Sequence, residues 1–265
     1  MKAVAVPGGE VLEQLTGLQQ CAALTAFPDP MSRMVCLDNV ASIAAEKFRV
    51  LAVRLKYLRQ RRNLKKILIT SSVPEEGKSV IAANLAASMA YDKKERVVLV
   101  EGDLRRPTIS QRLGCEYSGG LTEYLKGNLC MTEVVYRVDP HGFHFVPAGP
   151  AEDDTFELLQ SKNLPQLIEQ LERVFDWIII DSTPVFPLAD TGIWTKMVDG
   201  ILLVARQGKT EKLPLQKTVA SLDKSLLLGV VLNGFSDSMQ QKYSKYYRYY
   251  RSARAKHSSN GHGGK

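Results

Sequence analysis

The sequence predicts an α/β fold, a parallel sheet flanked by helices, and three observations predict it. Short apolar runs alternate with helical periods, the pattern of strand–helix–strand units joined by right-handed crossovers. One run, Leu64 to Ser71, passes through the loop Ser72 to Ser79 (SVPEEGKS) into a helical stretch of small residues, Val80 to Tyr91. Two further runs, Arg96 to Pro107 (RVVLVEGDLRRP) and Asp176 to Pro184 (DWIIIDSTP), each deliver carboxylates at the strand end. In open parallel sheets the carboxyl ends of the strands form the rim where ligands sit.

Taken in order, residues 1–41 hold Pro7, Gly8, Gly9, Pro28, Asp29 and Pro30 with no sustained period, so a loosely ordered arm is expected there. Ser42 to Arg62 places Ile43, Phe48, Leu51, Leu55 and Leu58 on one stripe, with Ser42 as N-cap, which predicts an amphipathic helix over 42–63. From Arg49 to Lys66 the chain carries Arg54, Lys56, Arg59, Arg61, Arg62 and Lys65 and no acidic residue. A block of that kind suits a solvated face, an acidic partner or anionic lipid.

A domain over 64–235 follows. Its strands after the first are expected at Val97 to Glu101, Phe143 to Pro147, Trp177 to Asp181, Gly200 to Ala205 and Leu226 to Leu232. Helices are expected at Val80 to Tyr91, Leu121 to Leu125, Thr155 to Gln160, Leu164 to Phe175, Thr191 to Met197 and Glu211 to Asp223. The end of the chain, 236–265, changes character. Tyr243, Tyr246, Tyr247, Tyr249 and Tyr250 interleave with Lys and Arg, and a Gly/Ser run closes the sequence. Without periodic aliphatic residues this segment cannot bury a core, so a flexible tail is expected. Its composition suits stacking on single-stranded nucleic acid, resting on a membrane, or phosphorylation, and does not choose among them.

The loop carries the chemistry. Backbone N–H groups at the helix start would point at nucleotide phosphates, Lys78 would add a point charge, and the Ser79 hydroxyl would ligate Mg²⁺. The usual pattern opens with Gly, and Ser72 stands there. Three strands bring Lys78 and Ser79, then Glu101 and Asp103, then Asp181 to one rim. Acids beside Mg²⁺ and a triphosphate serve metal ligation, water orientation and acceptance of a hydroxyl proton. Singly, each acid would fit a solvated strand end or a helix cap; their convergence favours phosphoryl transfer. Cys21, Cys36, Cys115 and Cys130 are dispersed with no CxxC pair, which argues against zinc and for reduced thiols. No apolar run reaches transmembrane length and no signal-peptide pattern opens the chain, so a cytoplasmic protein is expected.

With these motifs in order (SSVPEEGKS, VLVEGDLRRP, IIIDSTP, VARQGKT and the tyrosine-rich end), the chain resembles the bacterial tyrosine kinases of capsule and exopolysaccharide synthesis, the CpsD/CapB type or BY-kinase family. The resemblance runs from about Ser42 to Tyr250. It implies a P-loop NTPase fold and an ATP- and Mg²⁺-dependent protein-tyrosine autokinase. Lys78 would neutralise phosphate charge, with Glu76, Gly77, Ser79 and Val80 around the nucleotide and Ser79, Asp103 and Asp181 serving the metal. Asp103 would be the metal-water ligand or the base for the tyrosine hydroxyl, with Asp181 and Glu101 completing the catalytic set. Arg105 and Arg106 would bind phosphate or brace a neighbouring subunit, and Asn233 would contact the adenine. The acceptors would be Tyr243, Tyr246, Tyr247, Tyr249 and Tyr250 of an adjacent protomer.

The resemblance also implies partners: a homo-oligomer, as a ring; the cytosolic tail of a membrane chain-length regulator or adapter; and a cognate tyrosine phosphatase. Nucleic acid is not among them. The protein would sit peripherally at the inner face of the cell membrane. Three positions depart from the family pattern. Glu101 stands where Asp is usual, Glu75-Glu76 places Glu where Gly is common, and Ala52 replaces the second Arg of the oligomerisation helix that begins Glu46, Arg49. Two other readings share features with this one. A partition or septum-site ATPase switch has the same fold and acids, but carries an extra Lys where this chain has Val73 and lacks the tyrosine cluster. A nucleotide-sensing scaffold would bind ATP and transfer nothing.

Overall fold

The computed structural model describes residues 21–187 and 189–234. The tail tyrosines and the first part of the N-terminal arm lie outside the described residues. Eight strands form one sheet: β1 (Ala23–Thr25), β2 (Lys66–Ser71), β3 (Val97–Glu101), β4 (Tyr136–Asp139), β5 (Phe143–Val146), β6 (Trp177–Asp181), β7 (Gly200–Arg206) and β8 (Leu227–Asn233). Their order is β1-β4-β5-β3-β6-β2-β7-β8, and every pairing is parallel except β4 with β5.

The central strands read as apolar runs because both faces are covered. In β2, Ile67 and Ile69 join the core on one face while Leu68 joins the core on the other. The same alternation splits Val97 and Leu99 from Val98 and Val100 in β3, and Trp177 and Ile179 from Ile178 and Ile180 in β6. The first core is closed by α1 (Val35–Asp38), α2 (Ile43–Arg59) and α3 (Lys78–Ala90). The second is closed by α5 (Leu121–Lys126), α6 (Met131–Val134), α7 (Thr155–Leu159), α8 (Asn163–Val174) and α9 (Asp190–Trp194). Two more helices complete the set, α4 (Ile109–Leu113) and α10 (Lys212–Ser221).

One expectation changes. The arm expected over 1–41 is structured from Cys21 onward. There β1 pairs with β4, and Leu24, Met34, Cys36 and Leu37 are buried. Asn84 of α3 anchors it, accepting from the Cys36 N–H at 2.8 Å and donating to the Arg33 carbonyl at 3.0 Å. These elements run three or four residues, too short for a period to register in sequence. The sheet is parallel as expected save for one antiparallel pair, because β4 and β5 are joined by a short turn rather than a helix. In α2, Ser42 caps the helix by accepting from the Ala45 N–H at 3.1 Å, and Arg49 pairs with Glu46. Ala52 is 4 % exposed and packs into the core, so this helix register has no room for a guanidinium there.

Candidate functional site

The ends of three central strands place Lys78, Ser79, Asp103 and Asp181. The loop after β2 leads into α3, whose N-cap Gly77 has φ 94°. A Cβ at Gly77 would lie 2.2 Å from Asn233 Nδ2, so both the backbone conformation and the close approach require glycine. Glu75 takes φ 65° without that freedom, a left-handed conformation unusual for a side-chain-bearing residue. It is held there by an ion pair with Lys209 at 2.5 Å and by Arg206 Nη1 donating to its carbonyl at 3.2 Å.

Lys78, Asp103 and Asp181 converge. Lys78 Nζ donates to Asp103 Oδ2 at 2.7 Å, and Asp103 Oδ1 accepts the Arg106 N–H at 3.1 Å. The registers of β2 and β3 on β6 set Ile69 and Glu101 level with Asp181. Burial pushes the Asp181 carboxyl up to about 7, against the Lys78 charge and a hydrogen bond from the Ser79 hydroxyl, which hold it down. Burial would lower Lys78, but the charges of Asp181, Asp103 and Glu101 outweigh it and the ammonium is raised. Asp181 Oδ1 is buried with no partner. A hydroxyl and two carboxylates around an orphaned oxygen are the hard oxygen donors that Mg²⁺ takes, so Ser79, Asp103 and Asp181 fit that ion. Among the described residues, no cluster of three His, Cys, Asp or Glu side chains forms a metal cage of its own.

Lys78, Ser79 and Asp103 open onto a cleft of about 430 Å³ walled also by Pro74, Glu75, Gly77, Val80, Arg105, Arg106, Thr108, Arg112, Pro184 and Pro187, with Asp181 buried behind them. A hollow of the same volume beside α5 and α6, lined by Tyr124, Cys130 and Gln170, holds no Asp, Glu, Lys or Arg.

Two residues expected in the site are placed differently. Glu101 does not line the cleft. Its carboxylate is fully buried and accepts from the Ile109 N–H at 2.6 Å, the Ser110 hydroxyl at 3.0 Å and the Ala148 N–H at 3.2 Å, tying β3 to α4 and to the loop after β5. Burial raises its pKa, and those hydrogen bonds oppose the shift. Glu76 also points away from the cleft: Oε2 accepts from the Ser72 and Val73 N–H groups at 2.7 and 3.2 Å, and Oε1 from the Thr210 hydroxyl. Asn233 donates to the Glu76 carbonyl at 2.9 Å and accepts from the Gly234 N–H at 2.8 Å, so its amide braces the loop.

The helix expected at Thr191 to Met197 is present as α9, beginning one residue earlier, but sequence reasoning missed its part in the site. Asp190 is 1 % exposed and takes Arg105 in two hydrogen bonds, at 2.6 and 3.2 Å. The Thr191 hydroxyl donates to the Thr183 carbonyl at 2.8 Å, and Trp194 packs so closely that a Cβ on Gly102 would meet its ring at 2.6 Å. One short helix thus grips the segments carrying Asp103 and Asp181. A second acidic position nine residues after Asp181 was the available signal.

No protein-family model matches the chain. It is 33 % identical over 212 residues to the tyrosine-protein kinase YwqD of Bacillus subtilis, covering 79 % of this chain and 89 % of the relative. It is 32 % identical over 219 residues to the succinoglycan biosynthesis transport protein ExoP of Rhizobium meliloti, where the match covers 81 % of this chain and 28 % of the relative. Among solved structures, the kinase domain of the Escherichia coli tyrosine kinase ETK superposes with TM-score 0.72 at 24 % identity, covering 88 % of this chain and 95 % of that one. The Pyrococcus furiosus cell-division ATPase MinD gives TM-score 0.56 at 27 % identity over 65 % of this chain and 74 % of its own.

Proposed function

The chain belongs to the bacterial tyrosine-protein kinases, the family of YwqD, and from that membership we propose that it transfers the γ-phosphoryl group of Mg-ATP to tyrosines in the tails of neighbouring copies. The convergence of Lys78, Asp103 and Asp181 at the end of the phosphate loop carries this reading. Bound Mg-ATP would supply the phosphoryl group and offset its charge. Lys78 would leave Asp103 for the phosphates, Ser79 and Asp181 would hold the ion, and Asp103, once released, would accept the proton of the tyrosine hydroxyl. Tyr243, Tyr246, Tyr247, Tyr249 and Tyr250 are the acceptors in this account.

The process served is polysaccharide synthesis and export, a reading supported by the likeness to ExoP. Among the described residues no helix is long and apolar enough to cross a membrane. In this reading a membrane adapter's cytosolic tail would bring the kinase to the inner face of the membrane, and a tyrosine phosphatase would reverse the modification. Val50, Val53 and Tyr57 form an exposed stripe on α2, and a second copy docking there would build the oligomer. Domain limits at 64–235, with the helix of 42–63 as the assembly element, belong to the same proposal.

Incubation with Mg-ATP, followed by intact mass and peptide mapping, tests the reading. Phosphate on Tyr243 to Tyr250 that is absent in Lys78→Met is expected. Nucleotide hydrolysis with an unmodified tail would move the protein to the ATPase-switch reading, and binding without hydrolysis to the scaffold.

A further inference from the structure

Three arginines line the cleft, and protein carboxylates offset them unevenly. Arg105 is held by Asp190, just as Lys78 is held by Asp103. Arg106 and Arg112 make no ion pair among the described residues. Arg106 gives Asp103 its main-chain N–H and leaves its side chain exposed. Arg112 donates from Nη1 to the Ser32 carbonyl at 3.2 Å, while its Nε is buried with no partner. Thr108 adds a hydroxyl to the same wall. Glu75 on the same wall feels the Arg106 charge but is paired with Lys209, so two guanidiniums without an ion pair, one with an orphaned buried donor, stand beside a hydroxyl and suit a phosphate monoester, whose oxygens match the planar fork of arginine. Both arginines lie in the segment beyond Asp103, whereas the nucleotide phosphates have Lys78 and the helix N-terminus of the phosphate loop.

The acceptor sequence bears on which monoester. Tyr246 and Tyr247, and again Tyr249 and Tyr250, are adjacent, and Lys and Arg surround them. An unmodified basic tail gains nothing from a pair of arginines. One phosphate adds about −1.5 to −2 charges and reverses that. Resting on the kinase reading above, we propose that Arg106 and Arg112, with Thr108, form a subsite for phosphotyrosine. A tail already modified at one tyrosine is held there while a neighbouring tyrosine meets Asp103.

The test uses the full chain with Mg²⁺ and a non-hydrolysable ATP analogue. Binding is read by fluorescence anisotropy of a peptide of residues Lys242 to Arg251, either unmodified or phosphorylated on Tyr247. The phosphorylated peptide is expected to bind about tenfold or more tighter, and Arg106→Gln or Arg112→Gln is expected to collapse that ratio toward one. Equal binding of the two peptides overturns the proposal. So does a matching loss of analogue affinity in either variant, which would assign the arginines to the nucleotide. Inorganic phosphate displacing the peptide at the peptide's own concentration would make this a generic phosphate site and overturn the phosphotyrosine assignment. Failure of the unaltered protein to bind the analogue at all would instead sink the kinase reading, and the subsite with it.

Discussion

Glu101 and His144 show how burial decides what a titratable side chain does. Glu101 ends a strand beside the site, yet three protein donors occupy its carboxylate, so its work is to brace rather than to bind metal. Glu101→Gln puts an amide nitrogen against donors and should cost about 1–3 kcal/mol in urea unfolding, with nucleotide affinity kept within about threefold. A loss of nucleotide affinity without loss of stability would return Glu101 to the metal site. His144 packs its ring edge-on to Phe175 with centroids 5.0 Å apart, and its Nδ1 is buried without a partner. Burial pushes the imidazole down to about 4, helped by Arg137 and opposed by Asp139. The unfolded chain therefore binds the proton more tightly, and stability falls as pH drops from 6.5 toward 4. Between pH 7.5 and 5 the loss should be about 1–2 kcal/mol, and His144→Gln should remove it. Asp181 works with the opposite sign, because its raised carboxyl favours folding at low pH, so the difference between the two chains is the quantity to measure. Identical pH slopes in the two chains would refute the assignment.

Among the elements, α9 positions the acids. Asp190 fixes Arg105 two residues past Asp103, Thr191 fixes the chain two residues past Asp181, and Trp194 packs against Gly102 between them. Asp190→Ala should lower kcat by about tenfold to a hundredfold, with the KM for ATP changed less than about threefold, since sub-ångström displacement of reacting groups costs rate more than binding. Asp190→Glu should recover part of it, and equal losses in kcat and affinity would contradict a positioning role. The long strands and helices were legible in sequence because β2, β3, β6 and α3 each repeat an apolar pattern long enough to recognise. So was the rim, since GKS and the two strand-end acid motifs are local signals. The β1–β4 pairing and the grip of α9 on the site were not: they rest on contacts distant in sequence, as between Asn84 and Cys36 or Asp190 and Arg105. Side-chain direction was also beyond the sequence, which is why Glu76 reads as a ligand although its carboxylate braces the loop.

For the whole molecule, transfer between copies needs a cleft on one chain and a tail from another. If α2 mediates assembly, Val53→Asp should shift the mass measured by light scattering toward the monomer and slow autophosphorylation in proportion to dilution. An unchanged mass would place the interface elsewhere. The central claim is tested most directly by mixing two proteins: Lys78→Met with its tail intact, and an otherwise unaltered chain whose Tyr243, Tyr246, Tyr247, Tyr249 and Tyr250 are all Phe. With Mg-ATP, mass spectrometry should find phosphate on the tail of the Lys78→Met chain, although that chain cannot catalyse. Phosphate on neither chain, with ATP hydrolysed by the mixture, would contradict the account and leave an ATPase in its place.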